Sequence, residues 1–260
     1  MIAFIAKDRQ VWPPAELKIS DTAPAWARHK RSLNERLEAS GSWFHSLTFD
    51  NGARTQGRDP SDAKLRAIQF PSNLNGYTVL DIGCYEGYFS FHAAQRGARV
   101  TANDHYVWHQ PGDPSWNNFQ LASEALGQPC EVLDADLPHL PSLGRTWDVV
   151  LFLGVLYHLP DPVAGLRTVR ALTGRVAILE TLVDCLAAAG DQCAFYSGLN
   201  KDMSNYFGPN LAATVALARR AGFSVAEFRG IWELNTVATL SGNPTLSPLT
   251  SARAVFYLYP

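Results

Sequence analysis

The stretch VLDIGCYEGYFS, residues 79–90, decides the fold. A short apolar run closes on Asp81, turns at Gly83 and Gly87, and passes into GYFSFHAAQR, which has helical spacing and stops at Gly97. Strand, glycine turn and helix form the opening unit of an α/β sheet, and such a turn commonly holds a nucleotide. The dinucleotide signature G-x-G-x-x-G is absent here. A carboxylate aimed into the turn would repel a pyrophosphate seated on the helix N-terminus.

Working outward, the alternation repeats. ARVTAND (98–104) and CEVLDA (130–135) read as strands, with NNFQLASEAL (117–126) between them as a helix capped by Asn117 or Asn118 and ended by Gly127. WDVVLFLGVL (147–156) is apolar throughout, as expected of a central parallel strand. Asp161-Pro162 supplies an N-cap and a first-turn proline for a helix ending before Gly174, and RVAILET (175–181) is the next strand. Residues 182–209 read as an irregular insertion. A helix over 210–220 and the strands FSVAEFRGIW and SARAVFYLY close the chain. The pattern predicts an α/β fold: a seven-stranded Rossmann-like sheet, mostly parallel with an antiparallel last strand, and helices on both faces. Residues 1–70 form an N-terminal cap or substrate-facing extension, with a helical piece in ARHKRSLNERLEA and a hairpin in SWFHSLTFDNGARTQG (42–57). Residues 71–260 form the nucleotide-binding domain, with the insertion over the acceptor site.

The 260 residues are 47% hydrophobic, enough for a large core, and a formal charge of −2 gives no general attraction to nucleic acid or anionic membrane. The short apolar opening MIAFIA lacks the basic start and length of a secretory signal, and no run reaches a membrane span of about 18 apolar residues. Cys84, Cys130, Cys185 and Cys193 form no CxxC pair, and no His, Asp or Cys spacing demands a metal. A cytoplasmic protein is expected.

In open α/β sheets, ligands sit beyond the carboxyl ends of the strands. Three acids fall at consecutive strand ends: Asp81, Asp104 and Asp134. Together they suit a cationic, phosphate-free adenosyl compound, and S-adenosyl-L-methionine is one. The predicted cofactor residues are Asp81, Gly83, Cys84, Tyr85 and Gly87 around the amino-acid tail, Asp104 at the ribose with His105 beside it, Asp134 and Ala135 at the adenine, and Leu153 and Gly154 at the next strand end. Asp136 is the alternative to Asp134.

VLDIGCYEGYFS, FLGVLYHLPDP (152–162), ILETLVD (178–184) and MSNYFGPN (203–210) together resemble the class I methyltransferases grouped with the tRNA wobble-uridine modifying enzymes. The likeness covers about residues 75–225. The pairing of G-V-L-Y-H with E-T-L-V is particular to this group, whereas the glycine motif belongs to the whole superfamily. The resemblance implies S-adenosyl-L-methionine as donor, or its carboxylated form, carboxy-S-adenosyl-L-methionine. It places Asp81, Gly83 and Gly87 in the donor loop and Asp104 and Asp134 at ribose and adenine. Tyr85 stands where most relatives have glycine. Tyr157 and Arg253 match a tyrosine and an arginine that hold the carboxylate of the carboxylated donor. The N-terminal lysine of those enzymes has no counterpart in Lys30 or Lys64, and no long N-terminal basic region is evident.

Methyl transfer needs positioning above all, and a base only if the acceptor loses a proton. His158 is the first candidate base, with a structural histidine as the alternative; Tyr157 and Glu180 complete the predicted catalytic set. Glu180 could contact the acceptor or steady the first strand's loop. His45, His105 and His109 are weaker candidates for the base. His45, Trp108, Tyr196, Asn205, Tyr206 and Arg253 are predicted to line the substrate site; Trp108, Trp43 and Trp116 sit on expected lid segments, with core packing as the equal alternative for each. The main expectation is methyl transfer to a small-molecule acceptor. The alternatives are carboxymethyl transfer to tRNA, a nicotinamide oxidoreductase and a non-catalytic cofactor-binding module.

Overall fold

A computed structural model describes residues 17–18, 32–199, 202–235 and 251–260. The expected seven strands are present: β2 (Thr78–Ile82), β3 (Arg99–Asp104), β4 (Glu131–Asp134), β5 (Trp147–Leu153), β6 (Thr173–Val183), β9 (Val225–Asn235) and β10 (Ser251–Tyr259). A two-residue edge strand, β1 (Leu17–Lys18), adds an eighth, unanticipated member, giving the order β1-β4-β3-β2-β5-β6-β10-β9. β2 pairs in parallel with β3 and β5, β3 with β4, and β5 with β6; β10 runs antiparallel between β6 and β9. The order reverses between β2 and β5, so their carboxyl ends flank the crevice where such sheets bind ligands.

Alternation along each strand sorts the core into two layers. Val79, Val149, Leu151, Ile178 and Val255 join one cluster with Phe89, Phe91 and Phe119 from helices α3 (Tyr88–Ala94) and α4 (Ser115–Leu126). Their neighbours Leu80, Val150, Phe152, Leu179 and Phe256 join the other, with Leu166 and Val169 of α5 (Pro162–Leu172) and Ala218 of α6 (Leu211–Arg220). Side chains on β2 and β5 are therefore buried on both faces, which is why these strands read as unbroken apolar runs.

In the described part of the N-terminal region, Trp43, Leu47, Phe49 and Ile68 pack in the first cluster, and helices α1 (Leu33–Ala39) and α2 (Ser61–Ala67) flank them. Some local expectations need correction. The rest of residues 1–31, including Lys30 and the start of the expected helix, lies outside the described residues except β1. The Asp50–Gly52 turn forms, but single bridges at Trp43–Gly57 and Thr48–Arg54 replace the expected hairpin strands. α4 begins at Ser115, two residues before the expected Asn cap. There the Asp113 carboxylate accepts from the Ser115 N–H at 2.8 Å, leaving Asn118 inside the helix to donate to the Ser42 carbonyl. β6 runs through Val183, and the insertion carries an antiparallel pair, β7 (Cys193–Phe195) and β8 (Phe207–Pro209).

Gly87 opens α3 with φ +84°, and a Cβ there would lie 2.7 Å from Phe91 and 2.8 Å from Phe119. Left-handed strain and a core clash both oppose a side chain. Gly87→Ala should therefore lower unfolding stability by about 2 kcal/mol or more in a urea titration; an unchanged midpoint would contradict this packing.

Candidate functional site

The glycine loop is held shut by its own hydrogen bonds. The N–H groups of Gly83 and Cys84 both donate to the Asn103 carbonyl, at 2.9 and 3.0 Å, and the Gly87 N–H donates to the Cys84 carbonyl at 2.8 Å. The Tyr85 N–H donates to Asp104 Oδ2 at 3.0 Å. Four N–H groups that a pyrophosphate would require are therefore already engaged, which argues against a phosphate cradle.

Tyr85 adopts φ +57°, a left-handed conformation that favours glycine. Neighbouring contacts hold it there. Phe44 stacks on its ring at 4.7 Å, and Trp108 Nε1 donates to its carbonyl at 2.9 Å. Trp108 thus braces the loop and packs with Trp116 and Phe119 instead of lining an acceptor pocket. Trp43 is likewise buried.

The three acids differ in setting. Asp81 is buried and accepts from Ser90 Oγ at 2.6 Å; burial outweighs that bond and pushes its carboxyl up to about 6. Asp104 takes the His105 N–H at 2.7 Å on Oδ1 besides that of Tyr85, and burial also raises it to about 6. Each carboxylate oxygen has two lone pairs, so Asp104 retains acceptor capacity for ribose hydroxyls. Asp134, at the end of β4, is more open and accepts from His105 Nδ1 at 2.8 Å and His109 Nε2 at 2.9 Å. Those three donor atoms lie within 4.8 Å of one another, a spacing a cation could bridge, although the sequence pointed to no metal. Asp136, the alternative acid, accepts the Leu137 N–H at 2.9 Å and caps the following turn. The Asn103 side chain donates to the Leu133 and Ala135 carbonyls, both at 2.8 Å, tying the ends of β3 and β4 together.

A second cluster lies at the end of β5, beyond Leu153. Arg253 donates to Glu180 through Nε at 2.6 Å and Nη2 at 2.7 Å, and to Tyr157 Oη through Nη1 at 2.9 Å. A Cβ on Gly154 would lie 3.4 Å from both Arg253 Nη2 and Tyr157 Oη, so the cluster sits directly over that glycine. Glu180 is fully buried; burial acts to raise its carboxyl, but the Arg253 guanidinium overrides this and holds it below the ordinary range. Trp232 Nε1 also donates to it at 3.0 Å. His158 lies beside Tyr157, with ring centroids 4.3 Å apart.

The substrate residues scatter. His45 is buried at 4% exposure, its Nδ1 2.8 Å from Glu86, and clasps the N-terminal segment to the glycine loop rather than facing an acceptor. Asn205 donates to the Leu199 carbonyl and shapes a turn. The Tyr196 hydroxyl donates to Asp184. Tyr206 is tied to the site through its N–H, which donates to the Tyr157 carbonyl at 2.8 Å. Sequence reasoning missed Ser90, Asn103, Glu86 and Trp232. Only Asn103, placed immediately before the strand-end acid, carried a local signal.

A family model described as a methyltransferase domain matches residues 49–227. A tRNA U34 carboxymethyltransferase from Nautilia profundicola is 29% identical over 170 residues, covering 64% of this chain and 54% of the relative. That from Pseudomonas putida is 30% identical over 171 residues, covering 63% and 51%. The chain thus spans about half the length of these curated relatives. The crystal structure of the N-terminal domain of EvdMO1, in the presence of SAH and D-fucose, shares the fold with a TM-score of 0.64 and 18% identity, over 87% of this chain and 95% of that one.

The raised acids have a pH signature. With folded values near 6 against the ordinary 3.8, Asp81 and Asp104 cost stability as pH rises from about 4 to 6 and add no further cost above it. A cationic, hydroxyl-bearing ligand needs them ionised. Affinity for S-adenosylhomocysteine, read by calorimetry, should therefore fall about tenfold for each acid, about a hundredfold for the two together, from pH 7 to pH 5; a flat profile would contradict the assignment.

Proposed function

The chain belongs to the methyltransferase-domain family, and from that premise we propose that it transfers a methyl group from S-adenosyl-L-methionine to an O, N or C nucleophile of a small-molecule acceptor. The observation that carries the reading is the row of acids at adjacent strand ends, Asp81, Asp104 and Asp134, beside a loop whose N–H groups are used internally. That arrangement suits an ammonium group, a ribose and an adenine better than a pyrophosphate. Asp81 and the glycine loop would hold the amino-acid tail, Asp104 the ribose, and Asp134 with His105 the adenine edge. The donor supplies an activated one-carbon group, which this reading brings to the end of β5, where Arg253 and Tyr157 lie over Gly154.

The donor form turns on Arg253. A lone guanidinium near the reacting carbon would repel a sulfonium and attract a carboxylate. Here its charge is matched by Glu180 in a two-point contact, so the pair is neutral overall and compatible with the uncarboxylated donor. The Arg253–Tyr157 contact over Gly154 favours a second reading, carboxymethyl transfer from carboxy-S-adenosyl-L-methionine, and the relatives named for tRNA U34 add to it. The balanced formal charge of −2 supports a small molecule over tRNA as acceptor.

In this reading the acceptor would lie between the N-terminal region and the insertion after β6, where the Tyr206 N–H reaches the Tyr157 carbonyl. Among the described residues, no helix is long and apolar enough to cross a membrane, and all four cysteines are free, which supports a reducing, cytoplasmic setting. Calorimetric titration with each donor separates the two readings. S-Adenosyl-L-methionine should bind at least about tenfold more tightly than its carboxylated form, a difference of about 1.4 kcal/mol. The reverse order would select carboxymethyl transfer.

A further inference from the structure

His158 is held by a relay that the transfer reaction has not yet used. Its Nδ1 lies 2.9 Å from Ser204 Oγ and 3.3 Å from the Ser204 carbonyl oxygen. The Ser204 hydroxyl in turn donates to Asp202 Oδ1 at 2.6 Å, and the Ser204 N–H donates to the same oxygen at 2.8 Å. A carbonyl only accepts, and the serine proton is already directed at Asp202. Nδ1 must therefore carry the imidazole proton, which leaves the lone pair on Nε2. Among the described residues, the buried side-chain polar atoms without a partner are Asn118 Oδ1 and Ser251 Oγ. Nε2 has no protein partner there and is absent from that set, so it reaches accessible space.

We propose that Asp202 and Ser204 are positioning residues that fix His158 in the Nδ1–H tautomer, so that Nε2 accepts the proton an acceptor hydroxyl or amine gives up. The inference deepens the methyl-transfer reading and rests on it. In that step the acceptor heteroatom forms its bond to the donor carbon. The carbon–sulfur bond breaks with its electron pair kept on sulfur, and the heteroatom's proton moves to Nε2. One positive charge leaves the sulfonium and one appears on the imidazolium, where the Ser204–Asp202 relay lies ready to stabilise it. Burial pushes the His158 imidazole below its ordinary value, which keeps it neutral and able to accept at pH 7. Ser204 lies within the MSNYFGPN stretch and Asp202 just before it, and the fold of the insertion brings both to His158.

The test reads the tautomer directly. In nitrogen-15 histidine-labelled protein, with His158 assigned through His158→Gln, long-range proton–nitrogen spectra should show Nδ1 protonated and Nε2 bare. Asp202→Asn and Ser204→Ala should each move a measurable fraction to the Nε2–H form that free histidine prefers in water, and Ser204→Thr, which keeps the hydroxyl, should restore the wild-type pattern. S-Adenosylhomocysteine affinity should stay within about twofold of wild type in all three variants, because none touches the donor cradle. Nε2–H in the wild type, or a tautomer indifferent to both Asp202→Asn and Ser204→Ala, would overturn the relay. Failure of the wild type to bind S-adenosylhomocysteine would instead overturn the methyl-transfer reading and leave the tautomer result standing.

Discussion

The end of β3 bears the burden of the site. Asn103 offers its carbonyl to two loop N–H groups and its amide to β4, while Asp104 takes one N–H from the loop and one from its own successor. Three neighbouring strands are thereby stitched together at their carboxyl ends by two adjacent residues. Each bond is worth only about 1 kcal/mol net. Losing one, however, would strand a buried polar group at a cost of about 1–3 kcal/mol, so the set behaves as a unit. The loop's unusual Tyr85 depends on this unit for its left-handed backbone.

Two electrostatic regimes meet in one crevice. On the side of β2 and β3, the carboxylates of Asp81 and Asp104 are buried with neutral partners, and desolvation raises them. A positively charged ligand would relieve that desolvation, which makes the pair a reservoir of binding energy. On the side of β5 and β6, Glu180 is buried with Arg253 and needs no ligand to balance it. Replacing either partner alone would leave an uncompensated buried charge, a loss of about 3–5 kcal/mol. The first regime invites a cation; the second shapes the space where the reacting carbon would lie.

The strand order and the acids at the strand ends were legible because both depend on local pattern. Apolar runs of strand length closing on Asp81, Asp104 and Asp134 carry their own signal, as do the Asp161-Pro162 cap and the Gly127 stop. The Arg253–Tyr157–Glu180 cluster was legible through family motifs. What failed was anything depending on which way a side chain turns after a loop. For Trp43 and Trp108 the sequence left stacking over the site and core packing equally open, and both pack in the core. His45 was read as facing substrate because its partner, Glu86, is distant in sequence. The relay to His158 was hidden for the same reason, since Asp202 and Ser204 meet it only once β7 and β8 have paired.

The account stands on the acids as an adenosyl cradle, and a crystal structure with bound S-adenosylhomocysteine tests this most directly. The account predicts the ribose hydroxyls on Asp104, the adenine edge at Asp134 and the sulfur close to Gly154. An adenosyl group seated elsewhere, or the same pose with Asp104 making no contact to ribose, would contradict it.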